Sequence, residues 1–226
     1  MLGQKLITAT NGFVPVGIVA SETFTDTADR TSYTFNGTLD AAPNEVVVGL
    51  MAIHSGSGTS REPTTGSVGG NSFTLSVQKS GFSRKVGAGF GYKFGPINNP
   101  VSQINTIVQT DTRLVVSREA ASTHVILSGV KNVPQGSEYQ SAFDSRAQTA
   151  PFNFTGIADS IVLAIAVQTG PGDITWSGAT PLASRVYGDA SMSVAYVVGD
   201  GSNVSFSATT TGGDKDFCAI AATFAP

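Results

Sequence analysis

The sequence predicts an all-β protein, a jelly-roll-like antiparallel β-sandwich built from an internal duplication. Three observations lead there. Apolar residues gather in short runs such as Val46 to Ile53 and Ile161 to Val167, which are too short for typical helices and rich in β-branched side chains. Gly, Ser, Thr, Asn and Pro are abundant between the runs and supply the tight turns that many short strands need. Finally, five strand-like segments occur twice in the same order.

The first copy opens at Tyr33-Thr34-Phe35-Asn36-Gly37, which is answered by Phe152-Asn153-Phe154-Thr155-Gly156. Next come the two apolar runs, which read as central strands covered on both faces because they lack polar alternation. Val68 to Thr74 then corresponds to Trp176 to Leu182, Phe90 to Gly95 to Val194 to Gly199, and Thr123 to Val130 to Phe217 to Phe224. Half-repeats of about 33–130 and 152–225 result, joined by a polar linker, 131–151, within one sandwich spanning 33–226. In Val86 to Phe94 bulky residues alternate with Gly87, Gly89 and Gly91. Glycine is poor in strands unless something must come close, so either another sheet or a long loop lies flat there, or a second subunit packs on it.

Residues 1–32 precede the repeat as an N-terminal arm. Phe13, Val14, Val16, Ile18 and Val19 give it apolar surface without helical spacing, and it either adds an edge strand to its own sheet or docks on a neighbouring subunit. Two stretches are read as insertions found in the first half alone, one from His54 to Gly66 and one from Gly95 to Asp111. They carry Arg61, Glu62, Asn98, Asn99 and Gln103, a mixed hydrogen-bonding set that suits a sugar or a polar protein rim. In a sandwich loops cluster at two ends, and these two are expected at the same end. They either contact a receptor or cap the sandwich and touch a neighbour.

Composition narrows the function classes. Of 226 residues only 13% are charged, the net charge is -3, and Lys and Arg are scattered singly, so no basic stripe invites nucleic acid. No apolar run approaches the roughly 20 residues of a spanning helix, and no membrane insertion is expected. A faintly signal-like stretch, Leu6 to Ala20, is interrupted by Asn11, Gly12 and Pro15, and the start at Met1 argues against a cleaved leader. The single cysteine, Cys218, reads as a buried structural thiol at the repeat position of His124.

No motif for chemistry stands out. His54 and His124 are isolated from any nucleophile context or zinc-ligand spacing. Asp26, Asp29, Asp144, Asp173, Asp189, Asp214 and Asp216 fall mostly in turn contexts, where Asp caps its own backbone. Trp176, the only tryptophan, holds an apolar strand position and reads as core rather than as a sugar platform; Tyr139 and Phe143 are the better exposed aromatics. No catalytic residue, cofactor or metal ligand is assigned.

The order of motifs resembles a family of duplicated β-sandwich virion structural proteins of tailed bacteriophages and gene-transfer-agent-like particles. The residues that carry it are the strand Val46 to Ile53, the turn Val68-Gly69-Gly70-Asn71-Ser72-Phe73-Thr74, the aromatic strand Phe90 to Phe94, Leu127-Ser128-Gly129-Val130 followed by Pro134, and the Ala-rich strand Ala219 to Phe224. The resemblance implies a non-enzymatic virion protein, a head decoration or spike or a tail or fibre component. Its partners would be other virion proteins and further copies of itself, with host glycan as an additional contact. The competing expectation is a carbohydrate-binding module or bacterial adhesin, and a third is a glycan-cleaving enzyme.

Overall fold

A computed structural model describes residues 14–54, 63–74, 86–106, 119–132, 139–142, 148–155, 158–211 and 215–226. Two large sheets face each other, and each is covered on its far side by a smaller one. The first large sheet runs β1 (Gly17–Asp26), β8 (Glu119–Ser128), β3 (Glu45–His54), β6 (Val86–Phe94). Behind it lies β2 (Ser32–Asn36), β7 (Val101–Thr106), β4 (Pro63–Val68), β5 (Asn71–Thr74). The order 1-8-3-6 against 2-7-4-5 is that of an eight-stranded jelly roll.

The second half repeats that order with one change. Its large sheet runs β13 (Thr180–Tyr187), β14 (Ala190–Asp200), β11 (Ala158–Thr169), β16 (Phe217–Phe224), β9 (Tyr139–Ala142), and its small sheet β10 (Thr149–Phe154), β15 (Val204–Thr210), β12 (Ile174–Ser177). Only β13 differs, joining β14 where its counterpart β5 pairs with β4. All of these pairings are antiparallel.

Strand alternation builds three cores from these four layers. Along β3, Val46, Val48, Leu50 and Ala52 enter a core shared by the halves, while Val47, Met51 and Ile53 pack with Tyr33, Phe35, Val68 and Ile104 in the first half. Along β11, Ile161, Leu163, Ile165 and Val167 meet that shared core, and Val162, Ala164 and Ala166 face Phe152, Phe154 and Phe206. Both runs are therefore covered on both faces. The bare glycine face of β6 lies toward β4 and β5, so a sheet of the same chain makes the close approach. Gly49 shows the same tightness: a Cβ there would come 2.5 Å from Val68 Cγ2.

Several expectations need correction. Residues 17–26 form β1, hydrogen-bonded along β8 at the sheet edge, which is the edge-strand alternative for the arm, and the boundary at Tyr33 moves back because the sandwich already includes them. The supposed linker 131–151 contains β9 and the start of β10, and β9 stands beside β16 as β1 stands beside β8. The supposed insertion after Gly95 contains β7, whose counterpart is β15, so it is not peculiar to one half. Register also shifts one alignment. Val46 pairs with Leu127 and Ile161 with Phe224, which sets His124 level with Ala221 rather than with Cys218. An error of three residues exchanges the two faces of a strand.

Candidate functional site

Where the second half has Ala219 and Ala221, the first half has a polar network at the same depth. Ser122 and His124 point from β8 toward the smaller sheet, with Glu22 of β1 and Gly49 of β3 on either side of His124 in register. Ser102 of β7 meets them from the opposite sheet: its Oγ lies 2.6 Å from His124 Nε2 and 3.1 Å from Ser122 Oγ. His124 Nδ1 is 3.4 Å from Glu22 Oε1. The Glu22 carboxylate accepts hydrogen bonds from Thr38 N at 3.0 Å and Thr38 Oγ1 at 2.8 Å. Gly37 closes the cluster, because any Cβ there would collide with Glu22 Oε1 and His124 Nδ1.

A carboxylate, an imidazole and a hydroxyl in that order form the chain of a hydrolytic triad. Here Ser102, Ser122 and His124 are fully buried, and Ser102 Oγ is held between His124 and Ser122. The network ties β1, β7, β8 and the turn after β2 together. Sequence reasoning missed it because its members come from separate strands brought together only by sheet order: Ser102 is 22 residues from His124, and Glu22 is 102.

Burial pushes the His124 imidazole below its ordinary value of 6.5, against the upward pull of Glu22. At Glu22 partial burial acts upward, yet hydrogen bonds from Thr38 and Leu39 together with His124 outweigh it and leave the carboxyl below 4.5. Both shifts act in one direction: a group that binds its proton less tightly when folded contributes stability above its unfolded value and loses it as pH falls. The thermal midpoint is expected to drop as pH falls below 6.5 and again below 4.5. Replacing His124 by Gln should flatten the upper part of that fall; an unchanged profile would remove His124 from the account.

A second polar node lies at the end of β3. His54 Nδ1 is 2.8 Å from Glu119 Oε2, both side chains are buried, and Glu119 Oε1 accepts a 3.0 Å hydrogen bond from Asp189 N in the second half. Gly188 has φ +56 and leaves no room for a Cβ beside Glu119. The connections 55–62, 75–85 and 107–118 all leave or enter the first large sheet here, since His54 pairs with both Val86 and Glu119. We call this the loop end.

At the opposite end a cavity of about 380 Å³ is lined by Val14, Pro43, Asn44, Phe94 and residues 128–131. Val14 is 67% exposed, Phe94 41%, and Val198, which occupies the position of Phe94 in the other half, 56%. Val16 N donates to Asp159 O, and Ala225 exchanges backbone hydrogen bonds with Asn132, so the first described residues and the last ones leave from this end.

The predicted site residues divide accordingly. Val16 is buried in the shared core, Ile18 packs against it, and Val14 and Val19 are exposed; Phe13 lies outside the described residues. Asn98 and Asn99 are exposed at the cavity end, where Asn99 N donates to Asp40 Oδ1. Gln103 sits on β7 rather than in a loop, its Nε2 donating to Ser32 Oγ. Arg61 and Glu62 lie outside the described residues, and their flanks are at the loop end, so the two supposed insertions start from opposite ends of β3. Trp176 is half-buried and donates from Nε1 to Ser193 Oγ, which agrees with a core role. Tyr139 lies on β9 and Phe143 outside the described residues. Cys218 is buried, and burial pushes its thiol up to about 12. The outward side chains of β10, β15 and β12 are Thr149, Pro151, Asn153, Ser205, Ser207, Thr209, Thr175 and Ser177, a face without a charge.

Among the described residues, no group of three or more His, Cys, Asp or Glu is placed to hold a metal ion, and no helix is long and apolar enough to cross a membrane. No protein-family model and no curated protein matches the chain. Among solved structures, it is similar to dimeric latent PorU from Porphyromonas gingivalis at 12% identity and a TM-score of 0.24, covering 93% of this chain and 22% of that one. It is also similar to the Macrobrachium rosenbergii nodavirus structure at 8% identity and a TM-score of 0.23, covering 93% of this chain and 98% of that one.

Proposed function

We propose that this protein is a non-enzymatic structural component of a bacteriophage-like virion, exposed on its head or tail and seated by the cavity end. The observation that carries the reading is polarity. Val14, Phe94 and Val198, the cavity and the first described residues lie at one end, whereas His54, Val86 and Glu119, where β3, β6 and β8 begin or end, lie at the other together with one exposed apolar side chain, Val186. A protein seated by the first end presents the second outward. Jelly rolls also serve in both capsids and lectins, which makes the fold compatible with this role without selecting it. The uncharged Ser/Thr face of β10, β15 and β12 favours neutral host glycan as the additional contact, because hydroxyl groups both donate and accept while no cation is present to attract a polyanion.

The seating end is tested by truncation. Removal must stop at residue 13, because Val16 is core and β1 starts at Gly17. The chain lacking residues 2–13 is expected to keep its circular dichroism spectrum and thermal midpoint while its incorporation into particles, assembled with the variant in place of the intact chain, falls at least tenfold. Normal incorporation would refute seating through this segment.

A further inference from the structure

We propose that the outer edge of β12 is a strand-addition site, which binds one extended, uncharged segment of another protein antiparallel to β12 and over β13. The first half supplies the template. Its small sheet has a fourth strand, β5, which runs antiparallel to β4 along the outer edge. In the second half the corresponding strand, β13, belongs to the large sheet beside β14, so that among the described residues nothing pairs with β12 on the side away from β15. Ile174 to Ser177 therefore present the outward half of their backbone donors and acceptors unpaired. Behind them β12 stacks over β14, and β13 reaches one strand further out. The result is a shelf one strand wide.

The shelf is open and its side chains carry no charge. Tyr187 of β13 enters the shared core, so by alternation Val186 and Ser184 face the other way, toward the place beside β12. Val186 is 57% exposed, and Ser184, Thr175 and Ser177 are exposed as well. Trp176 forms the inner corner, its indole held on β14 by Ser193 Oγ. A guest strand gains backbone hydrogen bonds from β12 and covers Val186 with an apolar side chain. Other edges are guarded against such pairing. β10 carries Pro151, β1 has a bulge after Ile18 and carries Glu22 and Asp26, and β13 has Pro181, a bulge and Arg185, whose Nη1 donates to Ser184 O. β12 has no proline, charge or bulge. A second copy does not fit the shelf. Pairing two β12 strands about a twofold axis puts the axis about 2.4 Å from each, half the spacing between strands, and β13, reaching about 4.8 Å further out, would run into its mate. A lone strand meets no such obstacle. The inference rests on the virion reading only for the source of the guest, which would then be another virion protein touching the side of this one.

Peptide binding tests it, with Trp176, the only tryptophan, as reporter. The probe is acetyl-Gly-Asn-Ser-Phe-Thr-Leu-amide, a copy of residues 70–75, which include the strand that fills the equivalent place in the first half. Titrated into the full chain up to millimolar concentration, it is expected to shift the Trp176 emission saturably. Val186→Lys, at an exposed position, should weaken binding at least tenfold, whereas Thr149→Lys, on the opposite edge strand of the same small sheet, should leave it unchanged. No saturable shift, equal effects of the two substitutions, or an emission that changes with protein concentration alone, the mark of a second copy, would overturn the proposal. In assembled particles, p-benzoylphenylalanine in place of Thr175 should crosslink to a different virion protein. Failure there, with peptide binding intact, would count against the virion reading and leave the strand site standing.

Discussion

Truncating Phe224 to alanine is expected to lower stability by about 4 kcal/mol and to loosen both halves together. Phe224 is fully buried in the shared core and its ring meets the Tyr92 ring edge-on, with centroids 6.3 Å apart. The side chain belongs to the last strand of the second half, yet its ring partner is on β6 of the first. Removing it leaves a cavity between two large sheets whose partners are fixed by antiparallel ladders on either side, so collapse around the gap is limited. Urea unfolding gives the magnitude, and native-state hydrogen exchange gives the reach. Amides of β3 and β11 should lose protection by similar factors. If only β11 responds, the halves are independently stable sandwiches that merely touch.

Glu119→Ala is expected to cost about 3 kcal/mol. The substitution strands His54 in a buried position and withdraws the acceptor of Asp189 N, the hydrogen bond by which the two halves are joined at the loop end. Breaking a buried pair by deleting one member is more harmful than deleting both, so the double variant His54→Phe with Glu119→Leu should recover part of the loss. Glu119→Gln keeps oxygen and nitrogen within reach and should cost less than Glu119→Ala. A loss below about 1 kcal/mol for Glu119→Ala, the range of exposed pairs, would show that the node is not structural.

Much of the large-sheet framework is legible in the sequence. Val46 to Ile53 and Ile161 to Val167 are uniformly apolar because both faces of their strands are covered, and the alternation in Val86 to Phe94 marks one bulky face and one close approach. Such patterns survive in sequence because each residue answers to its own burial. The edge strands were not legible in the same way. β1 reads Gly-Ile-Val-Ala-Ser-Glu-Thr-Phe-Thr-Asp and is half-buried along most of its length, so polar and apolar positions do not separate cleanly. β7 lies in the stretch that reads as an insertion, since Ser102 and Gln103 look like turn residues until a sheet surrounds them.

Sequence alone determined that the chain is all-β and where its central strands run, because local turn chemistry and strand periodicity are properties of neighbouring residues. Only the tertiary structure decided which faces the halves share, that the two supposed insertions leave from opposite ends, and that Glu22, Ser102 and His124 meet. Those facts depend on sheet order and register. In this protein register is set by long-range pairing, Gly49 with His124 on one side and with Gly91 on the other, and a shift of a single residue would turn the whole network to the opposite face.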